Sequence, residues 1–239
     1  MRYNQPFAKG GLDAKGGFLK KVLLSLLCVI ASSCEQPSAF NDFNAIMLTA
    51  EQGDAQAQYT LGLMYEEGDS VERNNAESYK WYLRSATQGV AQAQYRLGLL
   101  YDFGQGVPRN AAEAAKWYKL AAMRDHPEAQ YQFGRMHYSG LGGLTADLDK
   151  AFEFFQRAAK QGNTNSQHML GEMYYTGTGV QQSYFHSYVW LTIASVSDEA
   201  SSSVRATSAK ALSTEDLKVA QTYIAKLMED IEARKAGHS

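Results

Sequence analysis

The sequence lacks cysteine over most of its length. Its two cysteines are Cys28 and Cys34, and residues 35–239 contain none. No disulfide can therefore cross-link that part of the chain, and no thiolate there can act as a nucleophile or a metal ligand. Because 45% of all residues are hydrophobic and 12% are aromatic, the chain has ample material for a folded core. Its stability must come from packing.

The sequence also lacks a surplus of positive charge. Residues 1–33 carry five Lys and Arg against one acid, which leaves 18 Lys and Arg against 24 Asp and Glu in residues 34–239, a net charge of −6. A surface that binds nucleic acid needs clustered cations, which displace counterions from the phosphates. We therefore expect no nucleic acid partner.

Signatures of catalysis and of metal binding are missing as well. The sequence has no Gly-x-Ser-x-Gly motif and no Ser-x-x-Lys set in a suitable context. Its five histidines do not pair with a carboxylate or with one another at ligand spacing, whereas zinc needs three or four ligands. The sequence thus predicts a protein that is not an enzyme and binds no metal or cofactor. The histidines are His126, His137, His168, His186 and His238.

The apolar run near the N-terminus is too short to cross a bilayer. It extends from Val22 to Ile30 and is interrupted only by Ser25, whereas a hydrocarbon core about 30 Å thick requires about 20 apolar residues. The run has the length of the hydrophobic region of a signal peptide, and it follows two lysines and precedes three small residues. We therefore interpret residues 1–33 as a signal peptide and expect the protein to be exported.

The order of basic, apolar and small residues before Cys34 resembles the bacterial lipoprotein signal. This resemblance implies that Cys34 is acylated and anchors the protein in a membrane. In bacterial lipoproteins, Asp after the acylated cysteine retains the protein in the inner membrane. This chain has Glu35 at that position, which by this resemblance favours the outer membrane. We therefore expect an envelope protein that faces the periplasm. The alternative is an ordinary secretory signal that ends near a cysteine, which would give a secreted or periplasmic protein.

Four consecutive segments of the chain align with one another. Three are 36 residues long and the third has 37. A period of this length is typical of arrays built from helix pairs, in which each repeat stacks on the next. The segments are residues 53–88, 89–124, 125–161 and 162–197.

The same residue types recur at fixed offsets in each segment. An interior glycine costs a helix about 1 kcal/mol, and its recurrence predicts that a ring of the neighbouring helix occupies the space of the missing Cβ. A second glycine six residues later predicts a helix end with positive φ. The interior glycines are Gly62, Gly98, Gly134 and Gly171, the second glycines are Gly68, Gly104, Gly140 and Gly177, and the large pairs of the second helix are Trp81–Tyr82, Trp117–Tyr118, Phe154–Phe155 and Trp190–Leu191.

This combination of residues resembles the Sel-one-like repeat family, which is related to tetratricopeptide repeats. The shared pattern is Ala-x-Ala, Leu-Gly, Tyr, Gly-x-Gly-Val, Trp-Tyr and Ala-Ala, and it covers residues 53–197. Ser70, which stands in the first loop where the other repeats have glycine, departs from it. The resemblance implies an all-α fold, a right-handed superhelix of antiparallel helix pairs. It also implies an adaptor that binds proteins or peptides.

Both ends of the array are expected to carry capping elements, because a stack of repeats leaves an apolar face open at each terminus. Residues 34–52 are interpreted as an anchor linker followed by a capping helix over 43–52. Residues 198–239 are interpreted as C-terminal capping helices with a loose tail from Arg234. Ser213 and Asp216 resemble a helix N-cap.

One stripe of the first helices is a candidate partner-binding surface. In stacked helix pairs the first helices commonly line an extended groove, and aromatic side chains among polar ones suit protein recognition. The alternative is that the tyrosines of this stripe belong to the core between repeats. The candidate residues are Tyr59, Leu63, Gln92, Tyr95, Leu99, Tyr131, Arg135, His168 and Glu172.

A different class of function has also to be considered. Some exported relatives of this repeat family are linked to cell-wall or β-lactam chemistry, which would make the protein a wall-binding protein or a hydrolase. That version resembles a cysteine-rich branch with a disulfide in each repeat, and residues 35–239 have no cysteine.

Overall fold

The computed structural model describes residues 39–195 and 202–237. Within them every regular element is a helix and there is no strand, which confirms the predicted all-α fold. The predicted signal peptide and Cys34 lie outside the described residues. The eleven described helices are α1 (Ala39–Glu51), α2 (Ala55–Glu67), α3 (Asn75–Thr87), α4 (Ala91–Phe103), α5 (Ala111–Ala122), α6 (Pro127–Ser139), α7 (Leu148–Ala159), α8 (Thr164–Thr176), α9 (Tyr184–Ala194), α10 (Ser202–Lys210) and α11 (Thr214–Gly237).

All the packing described below lies within the described part of residues 43–237. From α2 to α9 each helix packs mainly against its neighbours in sequence. Buried side chains accordingly form four successive clusters along the chain instead of one central core. This arrangement is an α solenoid of four helix pairs. No helix among the described residues is both long and apolar enough to span a membrane.

The interior glycine of each first helix lies against a large side chain of the second helix. A Cβ on Gly62 would lie 2.5 Å from Cδ1 of Tyr82, and one on Gly134 would lie 2.9 Å from Cε1 of Phe155. Gly98 faces Tyr118 in the same way. The predicted contact between ring and glycine is thus present in three repeats. In the fourth, the side chain that covers Gly171 is Leu191, so the expectation of a ring there is wrong.

The loop departure at Ser70 has a structural explanation. In the second and third repeats the position of Ser70 is occupied by Gly106 and Gly142. Each of these glycines lies close to the backbone at the start of the second helix of the preceding repeat. A Cβ on Gly106 would lie 2.5 Å from the carbonyl oxygen of Asn75. Ser70 shares the left-handed conformation, with φ of 61°. Because no repeat precedes the first one, its loop does not need a residue without a side chain.

A ladder of buried glutamines links consecutive repeats, and the sequence analysis missed it. Each glutamine donates its Nε2 to a backbone carbonyl eight residues earlier, near the end of the preceding helix. It thereby adds a second donor to a carbonyl that already accepts the backbone N–H three residues further along the chain. The bonds are Gln58 to Ala50 at 3.0 Å, Gln94 to Ala86 at 3.0 Å, Gln130 to Ala122 at 3.2 Å and Gln167 to Ala159 at 3.1 Å.

The two ends of the solenoid carry capping helices. Helix α1 begins at Ala39, four residues before the predicted start, and its Phe43 and Ala50 are buried against the first repeat. At the other end, Ser213 Oγ accepts a hydrogen bond from the Asp216 backbone N–H at 3.1 Å, as predicted for the N-cap of α11. Buried residues of α11 pack on the fourth repeat. The helix continues to Gly237, past the position where the sequence suggested a loose tail.

We predict that Gln94→Met destabilises the protein by about 0.5–1.5 kcal/mol, because a methionine of similar shape lacks the Nε2 donor and leaves the carbonyl of Ala86 with only the backbone N–H of Gly89 at 3.0 Å. Gln92→Met, two residues earlier on the same helix, is the matched control, since Gln92 is exposed. Urea denaturation followed by circular dichroism measures both free energies of unfolding. Equal stabilities of the two variants would contradict the role assigned to the ladder.

Candidate functional site

Four residues at one repeat position of the first helices form an aromatic row: Tyr59, Tyr95, Tyr131 and His168. The three tyrosines are half-buried. Each ring lies tilted on the side chain that covers the interior glycine of its own repeat, with ring centroids 5.8, 6.0 and 5.9 Å apart. Each also packs on the cluster between its repeat and the next. The tyrosines therefore contribute to the core between repeats and still present part of each ring to solvent.

Polar and apolar candidates flank this row. Gln92 and Arg135 are exposed, whereas Leu63 and Leu99 are half-buried. The guanidinium of Arg135 lies 5.7 Å from the centroid of the Tyr131 ring and donates to Gln132 Oε1 at 2.9 Å. His168 and the last candidate, Glu172, form a pair four residues apart on one helix, with His168 Nε2 3.2 Å from Glu172 Oε1, so the expectation that no histidine pairs with a carboxylate is wrong at this position.

A polar bridge joins the first two repeats beside the row. The hydroxyl of Tyr82 donates to Glu66 Oε2 at 2.5 Å, and Arg96 Nη1 lies 3.3 Å from Glu66 Oε1. Burial, followed by the hydrogen bond to Glu66, holds the pKa of Tyr82 well above its usual range. The repeat pattern does not indicate this bridge, because Glu66 and Arg96 occupy different repeat positions. Phe155 and Leu191, which correspond to Tyr82, have no hydroxyl to repeat it.

His126 lies beside the aromatic row, at the junction of the second and third repeats. Its ring stacks on Tyr95 with centroids 4.7 Å apart. Its Nδ1 accepts the backbone N–H of Ala129 at 3.4 Å, so it caps the N-terminus of α6. Glu128 Oε2 lies 3.2 Å from the same nitrogen. Burial lowers the pKa of His126 below its usual value.

A cleft of about 470 Å³ lies between the second and third repeats, at the loop ends of α4 and α6. Phe103 and Leu141 are 65% and 50% exposed, although they are large and apolar. The guanidinium groups of Arg109 and Arg135 also line the cleft. Arg135 therefore belongs to this cleft as well as to the border of the aromatic row. Among the described residues no cluster of three or more His, Cys, Asp or Glu side chains could hold a metal ion.

The sequence matches the family model of the Sel1 repeat over residues 55–90, 91–126, 127–163 and 164–195. These four matches cover more than half of the chain. The chain belongs to the Sel1 repeat family. Proteins of this family generally mediate contacts between proteins, and their repeats are generally scaffolds without catalytic activity.

Solved structures with Sel1-like repeats resemble this chain, among them the following two. One is c5321, described as a protective antigen present in uropathogenic Escherichia coli strains and displaying an SLR fold, with 36% identity and a TM-score of 0.66 over 69% of this chain. The match spans 35% of c5321, about a third of its length. The other is a Sel1 repeat protein from Oxalobacter formigenes, with 28% identity and a TM-score of 0.63, over 69% of this chain and 67% of that one. No curated protein sequence matches the chain.

We predict that His126 makes the Sel1 array acid-sensitive. Its pKa is lowered in the folded state, so the unfolded chain, in which a histidine has a pKa of about 6.5, takes up the proton first. The stability that neutral His126 contributes is therefore present above about pH 6.5 and is lost as the pH falls through the lower folded value.

His126→Asn tests this contribution. Asn163 occupies the same repeat position and caps α8 by accepting the backbone N–H of Ser166 at 2.9 Å, so asparagine keeps the cap without the titrating ring. The variant should lose less stability between pH 7 and pH 5 than the unaltered protein, as measured by urea denaturation at each pH. The same loss in both proteins would show that His126 does not titrate in this way.

Proposed function

We propose that the protein is an exported scaffold that binds a protein or peptide segment along its first helices. The observation that supports this most directly is the aromatic row, in which partly exposed rings recur at one position on consecutive helices, with exposed Gln92 and Arg135 beside them. Rings of this kind, among adaptable polar groups, are the residue types that supply most of the binding energy at protein interfaces.

The packing of the row favours this use. Tyr59, Tyr95 and Tyr131 each rest on a second-helix ring, so their positions are fixed before a partner arrives. A fixed side chain loses little conformational entropy on binding. Because one ring of the row comes from each repeat, a partner segment that runs along the row can contact several rings in succession. The exposed Phe103 and Leu141, which line the cleft at the loop ends of α4 and α6, offer a further apolar contact beside Arg135.

The proposed location rests on the N-terminal sequence. Residues 1–33 have the pattern of a signal peptide, and Cys34 stands at the position that is acylated in bacterial lipoproteins. In this proposal the solenoid lies in the periplasm and is anchored to the outer membrane by a lipid on Cys34. The scaffold would then present its first helices to partners in the cell envelope.

Site-specific photocross-linking tests the binding surface. A benzoylphenylalanine replaces Gln56 or Arg135, both exposed on first helices, or replaces Lys80 or Lys116, both exposed on second helices. After irradiation of the cells that make the protein, we expect defined cross-linked products from the first two positions. We expect none from the second two, which are the matched controls. Circular dichroism of each purified variant establishes that it is folded.

Fractionation of the same cells tests the anchor. The protein should sediment with membranes. Cys34→Ser should release it, because the substitution removes the proposed site of lipid attachment. Cross-links of equal yield from all four positions, or from the second helices alone, would refute the assigned surface. Membrane association that Cys34→Ser does not alter would refute the lipid anchor.

A further inference from the structure

A cleft of about 400 Å³ opens where the first helices of the second and third repeats begin. A smaller depression adjoins it, and the two share Asp125, Gln161 and Arg234 in their linings. We call the two together the cationic cleft. Its cations come from the ends of α5 and α7 and from the end of α11, and they are Arg124, Arg157, Lys160, Arg234 and Lys235.

The charge of this cleft is opposite to that of the rest of the protein. Residues 34–239 have a net charge of −6, whereas the described residues of the lining include five cations and a single carboxylate, that of Asp125. Asp125 is itself neutralised, since it accepts Arg157 Nη2 at 2.7 Å and Gln130 Nε2 at 3.1 Å. Lys235 pairs with Glu232 at 2.7 Å. Within the described residues, Arg124 and Lys160 have no ion-pair partner.

The start of α4 adds unsatisfied donors to the same cleft. The first helices α2, α6 and α8 have side-chain caps from Asp54, His126 and Asn163, but α4 follows Val90 and has none. Its first residues, Ala91 and Gln92, line the cleft. The open N–H groups and the positive end of the helix dipole both favour a carboxylate at this position. Such a carboxylate would act as the missing cap.

We propose that the cationic cleft binds an acidic segment of the partner protein through its carboxylates, an inference that rests on the proposed function. Charge complementarity steers and orients a partner on such a surface. The cations line a recess together with the amides of Gln92 and Gln161 and the ring of Pro127. A recess with several hydrogen-bonding groups fits individual carboxylates of an extended chain, whereas a lipid bilayer would meet a flat patch.

Fluorescence anisotropy with a fluorescein-labelled hexaglutamate peptide tests the cleft. The test variant is Arg124→Gln with Lys160→Gln, because both side chains are exposed and the hydrogen bond that Arg124 donates to the Leu120 carbonyl is long, at 3.4 Å. The matched control is Lys80→Gln with Lys116→Gln, which removes the same charge from second helices outside the cleft. Hexaglutamine and vesicles of anionic lipid are measured alongside.

The purified protein should bind hexaglutamate, with an affinity that falls as salt is added. The test variant should bind about tenfold more weakly, and the control should change by no more than about twofold. Hexaglutamine should not bind. Failure to bind hexaglutamate, equal losses in both variants, or binding to vesicles alone would overturn the proposal.

Cross-linking separates this inference from the proposed function on which it rests. Gln56 and Arg135 lie outside the lining of the cationic cleft. If they still capture a partner while hexaglutamate does not bind, the cleft inference falls and the scaffold function stands. If neither experiment detects binding, both fall. In the predicted case, Arg124→Gln with Lys160→Gln also lowers the yield of the cross-link from Arg135.

Discussion

The close approach of a second-helix side chain to a first-helix glycine determines the rest of this structure. Tyr82 and Tyr118 cover Gly62 and Gly98 so tightly that a Cβ at either glycine would overlap the ring. A glycine in a helix costs about 1 kcal/mol relative to alanine, which the packing of a buried ring more than offsets. The contact fixes the separation of the two helices in a pair. Because it recurs, the helix pairs of the repeats have nearly the same geometry.

The candidate surface is built on the same side chains. Tyr82 touches Gly62 on one side and Tyr59 on the other, so the ring that closes the helix pair also supports the aromatic row. Contacts between repeats then set how one repeat packs on the next. Gln94 reaches the carbonyl of Ala86 in the preceding repeat, and Gly106 lies against Asn75. Core, stacking and surface therefore depend on one another.

The sequence predicted the features that recur with the repeat, because four copies of one pattern reveal which positions have a fixed environment. The interior glycines and the helix ends at Gly68 and its equivalents are of this kind. The cap at Ser213 lies beyond the repeats and was predicted from a local capping pattern instead. Periodicity could not tell whether Tyr95 is core or surface, because it gives the direction of a side chain and not its depth. The glutamine ladder was visible as a recurring residue, but its acceptor is a backbone group. The cationic cleft combines Arg124, Lys160 and Arg234 from unrelated positions, so no repeat pattern could indicate it.

A double-mutant cycle on Gly98 and Tyr118, followed by urea denaturation, tests the glycine contact most directly. In the unaltered protein Gly98→Ala should destabilise by about 1–3 kcal/mol, because the new methyl group overlaps the ring. In a Tyr118→Ala background the ring is gone, and the same substitution should stabilise by about 1 kcal/mol through helix propensity. A change of sign would establish that the ring is the reason for the glycine. The same cost in both backgrounds would contradict the account.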